Sequence, residues 1–382
     1  MHILVLNGGS SSHKLSLYRI DDDSSPSDLE PLWKHHIDWS PPFSPEVLTE
    51  TITSLWSGDS PVLKQAGDID AVGHRVVHGG EHYRSSVLVT PEVKAAIADL
   101  IPLAPIHNPI NLKGIELTEA LLGHAVQVAV FDTAFHHQMP EAAALYPGPY
   151  SWKQAGIRRY GFHGISHQYC TERAVQLLQS DPADLKLIIC HLGNGASLSA
   201  VNAGRSINTT MGFTPLDGLM MGTRSGSVDP SILIHLMRQG YSADRLDHML
   251  NQESGLMGVS GVSHDLREIE AAIADGNERA KLALEMYIHR LQSCLGEMLM
   301  SLGGLDGLIF TAGVGEHSAM IRARVCDSLA FLGVALDPSL NENVSADQDI
   351  ATNDSTVRVL VIQTQEDLAI AQQVYHLGRS IV

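Results

Sequence analysis

A turn of small polar residues near the start of the chain could bind phosphate. The apolar run Ile3–Leu6 ends at Asn7-Gly8-Gly9-Ser10-Ser11-Ser12, and apolar residues resume after Lys14. This pattern predicts a strand, a tight turn and a second strand. Backbone N–H groups, three hydroxyls and the Lys14 ammonium would then face one small volume, which suits the oxygens of a phosphate group.

A similar arrangement recurs in the second half of the chain. The apolar run Leu187–Leu192 leads into Gly193-Asn194-Gly195-Ala196-Ser197, and Leu198–Val201 continues the strand pattern. One such turn is a weak signal, because most glycine-rich turns between strands bind nothing. Two of them predict a duplicated domain with a phosphate loop in each half, and nucleotide in the cleft between the halves.

A third glycine-rich segment follows the long helical region near the C-terminus. Gly307–Thr311 predicts a strand, Ala312–Glu316 a glycine turn, and Ser318–Leu332 a helix. A strand followed by a glycine turn and a helix N-terminus is a further candidate for phosphate or nucleotide binding.

Composition restricts the class of protein. A chain of 382 residues with 44% hydrophobic residues is sufficient for two globular domains, and its net charge of −18 argues against nucleic acid as the main partner. The four cysteines lack metal-type spacing, so we expect reduced, buried thiols in a cytoplasmic protein. No apolar run approaches the length of a membrane span, and the N-terminus does not resemble a signal peptide.

The predicted elements that position these turns alternate between strands and helices, which favours an α/β fold. Val126–Phe131 is a short apolar strand that ends at Asp132, and residues 270–302 form one long helical pattern. The proline- and glycine-rich segment 139–162 is the expected crossover between the two halves.

Blocks of residues spread in order along nearly the whole chain resemble those of the acetate kinases, which belong to the actin and sugar-kinase superfamily. The blocks are Asn7–Lys14, Gly73–Gly80, Ala104–Pro109, Phe131–His136, Arg159–His167, His191–Ser197, Met211–Gly218, Gly222–Gly226 and Phe310–Glu316. The resemblance implies two duplicated ribonuclease-H-like (actin-like ATPase) domains with an interdomain cleft. It places the N-terminal domain at residues 1–148 plus 366–382 and the nucleotide-binding domain at residues 149–365.

The resemblance also implies an activity. An acetate kinase transfers the γ-phosphoryl group of ATP to acetate, reversibly and by direct in-line transfer, giving acetyl phosphate and ADP. Mg²⁺, for which Mn²⁺ can substitute, would accompany the nucleotide, and the protein would be a cytoplasmic homodimer. Such a transfer depends mainly on positioning and on neutralising charge on the moving phosphoryl group.

Four residues are implied as catalytic: Asp132, His163, Arg224 and Arg75. The arginines offer planar forks for carboxylate and phosphoryl oxygens, and His163 can donate a hydrogen bond to the moving group. Asp132 could orient an arginine or the acetyl carboxylate, act on a metal-bound water, or simply cap a helix. Asn7 and Glu366 are the implied magnesium residues, acting through water. His107 and His191 are equally compatible with supporting hydrogen bonds.

Two larger sets complete the implied site. The pocket for the substrate methyl group, whose members could also be ordinary core, comprises Val77, Ile106, Phe162 and Pro215, with Arg75 at the carboxylate. The nucleotide-binding set comprises Ser12, Lys14, His191, Leu192, Gly193, Asn194, Gly195, Asp265, Leu266, Arg267, Gly313, Val314, Gly315 and His317, and Ser10 and Ser11 would line the phosphates with them.

Four positions depart from the family pattern. His13 stands at a usually apolar position, where we expect a change in packing. Asn208 and Ser227 replace acids and would remove negative charge near the catalytic loop, and His317 replaces an asparagine near the expected adenosine site.

Three alternatives stay open on sequence alone. A propionate or other short-chain acyl kinase would share every block and differ only in pocket volume. The substitution at His317 also raises the possibility of a pyrophosphate-dependent relative. A non-enzymatic actin-like nucleotide switch would lack the pocket for a small acid.

Overall fold

The computed structural model describes residues 1–9, 12–21, 29–38, 43–57 and 60–379. Ser10 and Ser11, predicted to line phosphate, lie outside these residues. The chain forms two compact units, the first comprising Met1–His137, Gly164–Tyr169 and Gln365–Val382, and the second comprising Gln138–His163 and Cys170–Thr364. Residues 138–148, predicted from the family resemblance to belong with the N-terminal domain, are therefore part of the second unit.

The first unit contains a six-stranded mixed sheet. Its strands are β1 (His2–Gly8), β2 (Ser12–Arg19), β3 (Trp33–Asp38), β4 (Ala71–Val76), β5 (Val87–Leu88) and β6 (Val126–Phe131). They lie in the order β3-β2-β1-β4-β6-β5. The first three strands form an antiparallel meander, β4 and β6 run parallel to β1, and β5 pairs antiparallel with β6.

The second unit repeats this sheet. Its strands are β7 (Lys186–Leu192), β8 (Ala196–Asn202), β9 (Arg205–Thr209), β10 (Gly307–Thr311), β11 (Gln348–Asp349) and β12 (Arg358–Val361). Numbered within each unit, the strands of both sheets lie in the order 3-2-1-4-6-5, with the same parallel and antiparallel pairs. The predicted duplication is thus confirmed, because even the short edge strand appears in both halves.

Helices cover both sheets. Over the described residues they are α1 (Pro45–Ser57), α2 (Pro91–Asp99), α3 (Asn108–Leu121), α4 (Glu141–Ala144), α5 (Ser151–Gln154), α6 (Gly164–Leu178), α7 (Pro230–Arg238), α8 (Ala243–Gln252), α9 (Gly255–Ser260), α10 (Leu266–Ala274), α11 (Glu278–Leu302), α12 (Ala312–His317), α13 (Ala319–Asp327), α14 (Pro338–Glu342) and α15 (Glu366–Arg379). Short 3₁₀ turns span Ala66–Asp68, Ile101–Leu103, Ala134–Gln138, Pro182–Asp184 and Ala330–Leu332. None of the helices within the described residues is long and apolar enough to cross a membrane.

Three predicted elements differ from the structure. The helical pattern at residues 270–302 is broken at Gly276, whose φ of +85° is unfavourable for other residues, and Asn277 then caps α11 through its side chain. The segment Ala312–Glu316, predicted as a turn, is the short helix α12. The helix predicted from Ser318 ends at Asp327 and is followed by a 3₁₀ turn.

The core of the first unit brings the N-terminal strand and the C-terminal helix together. Ile3, Leu4 and Val5 in β1 are fully buried, as expected for a central strand covered on both faces. A Cβ on Gly73 in β4 would lie 2.7 Å from side-chain atoms of Ile370 and Val374 in α15. Only glycine therefore permits this close packing, which holds the start of α15 beside the ends of β1 and β4.

Burial disfavours the charged forms of two interior histidines and raises the pKa of the Cys190, Cys294 and Cys326 thiols. Burial lowers the pKa of both His13 and His74 to about 4, and the ring of His13 packs 5.6 Å from that of Phe43, consistent with a packing role. All four cysteines are buried, and none of them forms a disulfide within the described residues. The expected buried thiols are therefore present, while the cytoplasmic location stays a prediction.

Candidate active site

In the first unit, two neighbouring parallel strands place Arg75 and Asp132 together. Arg75 lies in β4, and Asp132 directly follows β6 with its backbone N–H donating to the carbonyl of Val76 at 3.0 Å. Nη2 of Arg75 donates to Oδ2 of Asp132 at 2.6 Å, and Nη1 donates to the carbonyl of Gly8 at 3.2 Å. The arginine thus ties the first polar turn to the end of the sheet.

This ion pair is buried but incompletely hydrogen-bonded. The side chain of Asp132 is 1% exposed and that of Arg75 13% exposed. Burial acts to lower the pKa of Arg75, but the Asp132 carboxylate, followed by Glu366, outweighs it and raises the pKa. Among the described residues, Oδ1 of Asp132 and Nε of Arg75 have no partner. A buried acceptor and a buried donor that lack a partner in the described protein can form hydrogen bonds to a ligand or to water.

A second polar group in the same unit joins β1 to α15. Nδ2 of Asn7 donates to Oε2 of Glu366 at 3.1 Å and to Oδ1 of Asp367 at 2.8 Å, and Oγ of Ser16 donates to Oδ2 of Asp367 at 3.3 Å. Burial and the nearby Glu366 raise the pKa of Asp367, although the Asn7 hydrogen bond opposes this shift. The structure therefore brings the two predicted metal residues together and adds Asp367.

The remaining predicted residues of the first unit have different environments. Val77 is buried and follows β4 instead of lying in it, with its N–H donating to Oδ1 of Asn111 at 3.3 Å. Because Val77 lies outside the strand, the alternation of side chains along β4 does not place Val77 on the same face as Arg75. Ile106 is 42% exposed, and His107 directly precedes α3. Ser12 is half-buried at the start of β2, whereas Lys14 is exposed.

In the second unit, His163 occupies a constrained position. It precedes α6 with φ 56° and ψ 24°, a left-handed conformation that is uncommon for a residue other than glycine. Its ring stacks on that of His191 with centroids 4.1 Å apart and planes at 25°. Nδ1 of His163 shares a hydrogen bond of 2.9 Å with Oγ of Ser197. Ser197 therefore engages Nδ1, and His191 sets the plane of the ring.

The side chains of Arg224 and His163 both lie beside Gly195 in the second polar turn, Gly193–Ser197. A Cβ built on Gly195 would lie 3.4 Å from Nε2 of His163 and 3.5 Å from Nη1 of Arg224, so both nitrogens face one small volume that glycine leaves open. Nη1 of Arg224 also donates to the carbonyl of Pro215 at 3.4 Å. Burial lowers the pKa of Arg224, and within the described part of the chain no carboxylate pairs with it. Its positive charge is therefore available to an anion.

The loop that carries Arg224 is held against the polar turn. The N–H of Gly222 donates to the carbonyl of Asn194 at 3.1 Å, and a Cβ on Gly222 would collide with Oδ1 of Asn194. The N–H of Met221 donates to the carbonyl of Arg224 at 3.1 Å and closes the loop. Within the turn itself, Leu192 is buried, Gly193 is half-buried and Asn194 is exposed.

Hydrogen bonds to Glu316 and from Arg322 hold the third glycine-rich segment, Ala312–Glu316, in place. Ala312 has φ 64°, and its N–H donates to Oε1 of Glu316 at 2.8 Å. The buried Arg322 donates from Nη1 to the carbonyls of Gly315 and Glu316, at 2.9 and 2.8 Å. Gly313 and His317 are exposed, and apart from its neighbours along the chain no residue that the structure describes comes within 4 Å of a Cβ built on Gly313. This short helix therefore has an open surface where the adenosine site was predicted.

Asp265, Leu266 and Arg267 form the start of α10. Asp265 caps this helix through Oδ1, which accepts the N–H of Arg267 at 2.9 Å. The Arg267 side chain is 88% exposed, and its hydrogen bonds lower the pKa of Asp265 to about 2. Leu266 is buried. The role of this segment in nucleotide binding stays a prediction.

Asn208 and Ser227, two of the four departures from the family pattern, hydrogen-bond to nearby acidic side chains. Nδ2 of Asn208 donates to Oε1 of Glu297 at 3.2 Å, where an aspartate would face a like charge. Oγ of Ser227 donates to Oδ1 of Asp217 at 2.5 Å, where an acid would again meet an acid. Both substitutions therefore suit these neighbours.

Two residues of the predicted pocket for the substrate methyl group lie in the second unit. Phe162 is buried and Pro215 is half-buried.

Three residues with site contacts were missed by reasoning from sequence: Ser197, Asp367 and Arg322. Ser197 ends the predicted block His191–Ser197 and Asp367 follows Glu366, but neither was assigned a role, because their partners lie far away along the chain. Arg322 lies in α13, seven positions beyond Gly315, and no local pattern marks it as buried.

Comparison with known proteins agrees with this geometry. The model of the acetokinase family matches residues 45–372. An acetate kinase of Acaryochloris marina is 62% identical, over 98% of this chain and 99% of that protein. The crystal structure of Porphyromonas gingivalis acetate kinase superposes with a TM-score of 0.90 at 40% identity, covering 99% of both chains. A propionate kinase from Francisella tularensis gives 0.88 at 38% identity, covering 98% of this chain and 99% of that one. The two repeated sheets, the paired polar turns and these matches together show that the chain belongs to the acetokinase family.

Proposed function

We propose that this protein transfers the γ-phosphoryl group of ATP directly to acetate, reversibly, giving acetyl phosphate and ADP. The observation that carries the proposal is the pair of nitrogens at Gly195, Nε2 of His163 and Nη1 of Arg224. In phosphoryl transfer, negative charge is spread over the oxygens of the moving group, and positioned donors in a desolvated site stabilise it. A buried guanidinium without a carboxylate partner is suited to this task.

Arg75 and Asp132 would serve the acid. A guanidinium binds a carboxylate in a planar, bidentate manner, and Nε of Arg75 is the donor that no described residue engages. Asp132 holds the other side of the fork at 2.6 Å and thereby fixes its direction. No covalent nucleophile is needed, because an oxygen of the substrate carboxylate can itself attack the phosphorus.

The group formed by Asn7, Glu366 and Asp367 would hold Mg²⁺, with Mn²⁺ as a substitute. Within the described ranges, no cluster of three or more histidine, cysteine or acidic side chains could hold a metal alone. Two carboxylates and an amide oxygen nevertheless fit Mg²⁺, which keeps several waters and takes further oxygens from substrate phosphates. When bound, the ion would neutralise phosphate charge. Asn7 and Asp367 would orient Glu366 toward the hydrated ion.

Glu366→Ala should raise the Mg²⁺ concentration needed for half-maximal velocity by about tenfold or more, because a carboxylate that orders the hydrated ion is lost. Titration of activity, together with Mn²⁺ binding followed by electron paramagnetic resonance, measures this change. Glu268→Ala is the matched control, because Glu268 is also an acid in the first turn of a helix. Equal metal requirements in the two variants would leave Glu366 with only a helix-dipole role.

Val77→Ala tests the proposed methyl pocket. If Val77 contacts the substrate, propionate and butyrate should gain on acetate in kcat/KM by up to about tenfold, the effect usual for small changes in apolar volume. Val76→Ala is the control, since Val76 is equally buried and packs in the core with Phe131. Both variants should lose thermal stability. An acid preference unchanged in Val77→Ala would identify Val77 as ordinary core.

The activity itself is tested by trapping acyl phosphate with hydroxylamine, using Mg²⁺ and acetate, propionate or butyrate. We expect acetate to give the highest kcat/KM with ATP and no product with pyrophosphate. A preference for propionate is the second candidate, favoured by the likeness to a propionate kinase. Slow ATP hydrolysis without any dependence on an acid would indicate a nucleotide switch instead.

We further propose a cytoplasmic homodimer. The exposed apolar side chains of α7 support self-association, because Ile232, Ile234 and Met237 are 49, 51 and 53% exposed. Sedimentation velocity should give a dimer for the native chain and a monomer for Ile234→Asp. A native chain that sediments as a monomer at micromolar concentration would contradict the proposal.

A further inference from the structure

Ser197 and His191 together form a platform beneath the imidazole of His163. The two residues are direct cross-strand partners in the antiparallel pair β7 and β8, and both are buried. One supplies the stacking contact at 4.1 Å and the other the hydrogen bond at 2.9 Å. Together with the left-handed backbone of His163, these contacts fix both the plane and the edge of the ring.

The hydrogen bond at Nδ1 decides what Nε2 can do. A neutral imidazole carries one ring proton, and the partner of one nitrogen selects which nitrogen bears it. If the Ser197 hydroxyl donates to Nδ1, the proton resides on Nε2. Nε2, which faces the volume beside Gly195 as Nη1 of Arg224 does, is then a hydrogen-bond donor. Two converging donors match the oxygens of a phosphoryl group, whereas an accepting Nε2 would not.

We propose that Ser197 is a positioning residue that donates its hydroxyl proton to Nδ1 of His163 and so holds the proton of the ring on Nε2. This inference rests on the proposed function, in which Nε2 donates to the transferring phosphoryl group. In this role Ser197 acts through His163 and needs no contact of its own with substrate or nucleotide. Its effect is to keep Nε2 of His163 as a hydrogen-bond donor and to hold the ring in its orientation.

A matched control lies two residues along the same strand. Ser199 is also fully buried, and its Oγ donates to Oγ1 of Thr209 at 3.2 Å. Because side chains alternate along a strand, Ser197 and Ser199 share one face of β8. Ser199→Ala therefore removes a buried hydroxyl of the same type without touching His163.

The test combines kinetics with the protonation state of the ring. Ser197→Ala should lower kcat by about tenfold to a hundredfold, as loss of a group that orients a catalytic histidine does, while KM for acetate and ATP changes less than about threefold. Ser199→Ala should stay within about twofold of the native kcat. In the native chain labelled with ¹⁵N-histidine, the His163 signal, assigned by its loss in His163→Asn, should show a protonated Nε2 and an unprotonated Nδ1.

Two results would overturn the proposal: a native His163 with its proton on Nδ1, or a Ser197→Ala variant as active as Ser199→Ala. The ring measurement needs no variant of Ser197, so it decides the matter even if Ser197→Ala does not fold. Failure of the proposed function would look different. The native enzyme would then form no acyl phosphate, while the tautomer of His163 would still report on Ser197.

Discussion

Arg224→Ala should lower kcat by about two to three decades at saturating acetate and leave the fold unchanged. The reason is the isolation of this guanidinium, which burial desolvates and which has no carboxylate partner within the described residues. Removing one such pre-aimed donor typically costs a factor of this size. Because no acid is left unpaired, we expect a melting temperature equal to or above that of the native chain.

Two comparisons sharpen this prediction. Arg224→Lys keeps the charge but loses the planar fork, so it should recover only part of the lost rate. Arg245→Ala serves as the control, because Arg245 pairs with Glu253 at the surface and should not affect turnover. If Arg224→Ala retained a kcat within about threefold of the native value, Arg224 would have no role in phosphoryl transfer.

Arg75→Ala should also lose two to three decades, now in kcat/KM for acetate, because the donor to the carboxylate disappears. In contrast to Arg224→Ala, it should lower stability, since Asp132 is 1% exposed and would remain as an unpaired buried charge. Breaking a buried ion pair in this way costs about 3–5 kcal/mol. Steady-state kinetics and urea unfolding measure the two effects on one preparation.

The double variant Arg75→Ala with Asp132→Asn separates catalysis from stability. Neutralising the stranded carboxylate should restore much of the lost free energy of unfolding, because the uncompensated charge is gone. The kinetic defect should remain, since no donor has returned. Recovery of turnover in the double variant would mean that Arg75 only stabilises the fold.

Much of the architecture could be predicted from the chain because its signals are local. Apolar runs that stop at glycine-rich turns predicted the first strand pair of each half, and the repeated order 3-2-1-4-6-5 confirms the duplication. The resemblance to the acetokinase family is likewise confirmed by the matching family model. The prediction was wrong where the same helical periodicity of apolar residues continues across two helices. Residues 270–302 were predicted as one helix, but the chain breaks at Gly276 between α10 and α11.

The site was only partly predictable for a different reason. Asp367 and Ser197 contact residues that are distant in sequence: Asn7 lies near the other end of the chain from Asp367, and His163 is 34 positions from Ser197. Their contacts depend on strand register and on the placement of α15 against Gly73, which no local pattern encodes. The roles of the individual residues in binding and catalysis stay predictions.

The chirality of the transferred phosphoryl group tests direct transfer most sharply. ATP made chiral at the γ-phosphorus with oxygen isotopes is converted to acetyl phosphate, and the configuration of the product is determined. A single in-line displacement between bound ATP and the acetate carboxylate predicts inversion. Retention would contradict it, because a covalent phosphoenzyme would then add a second displacement that restores the starting configuration.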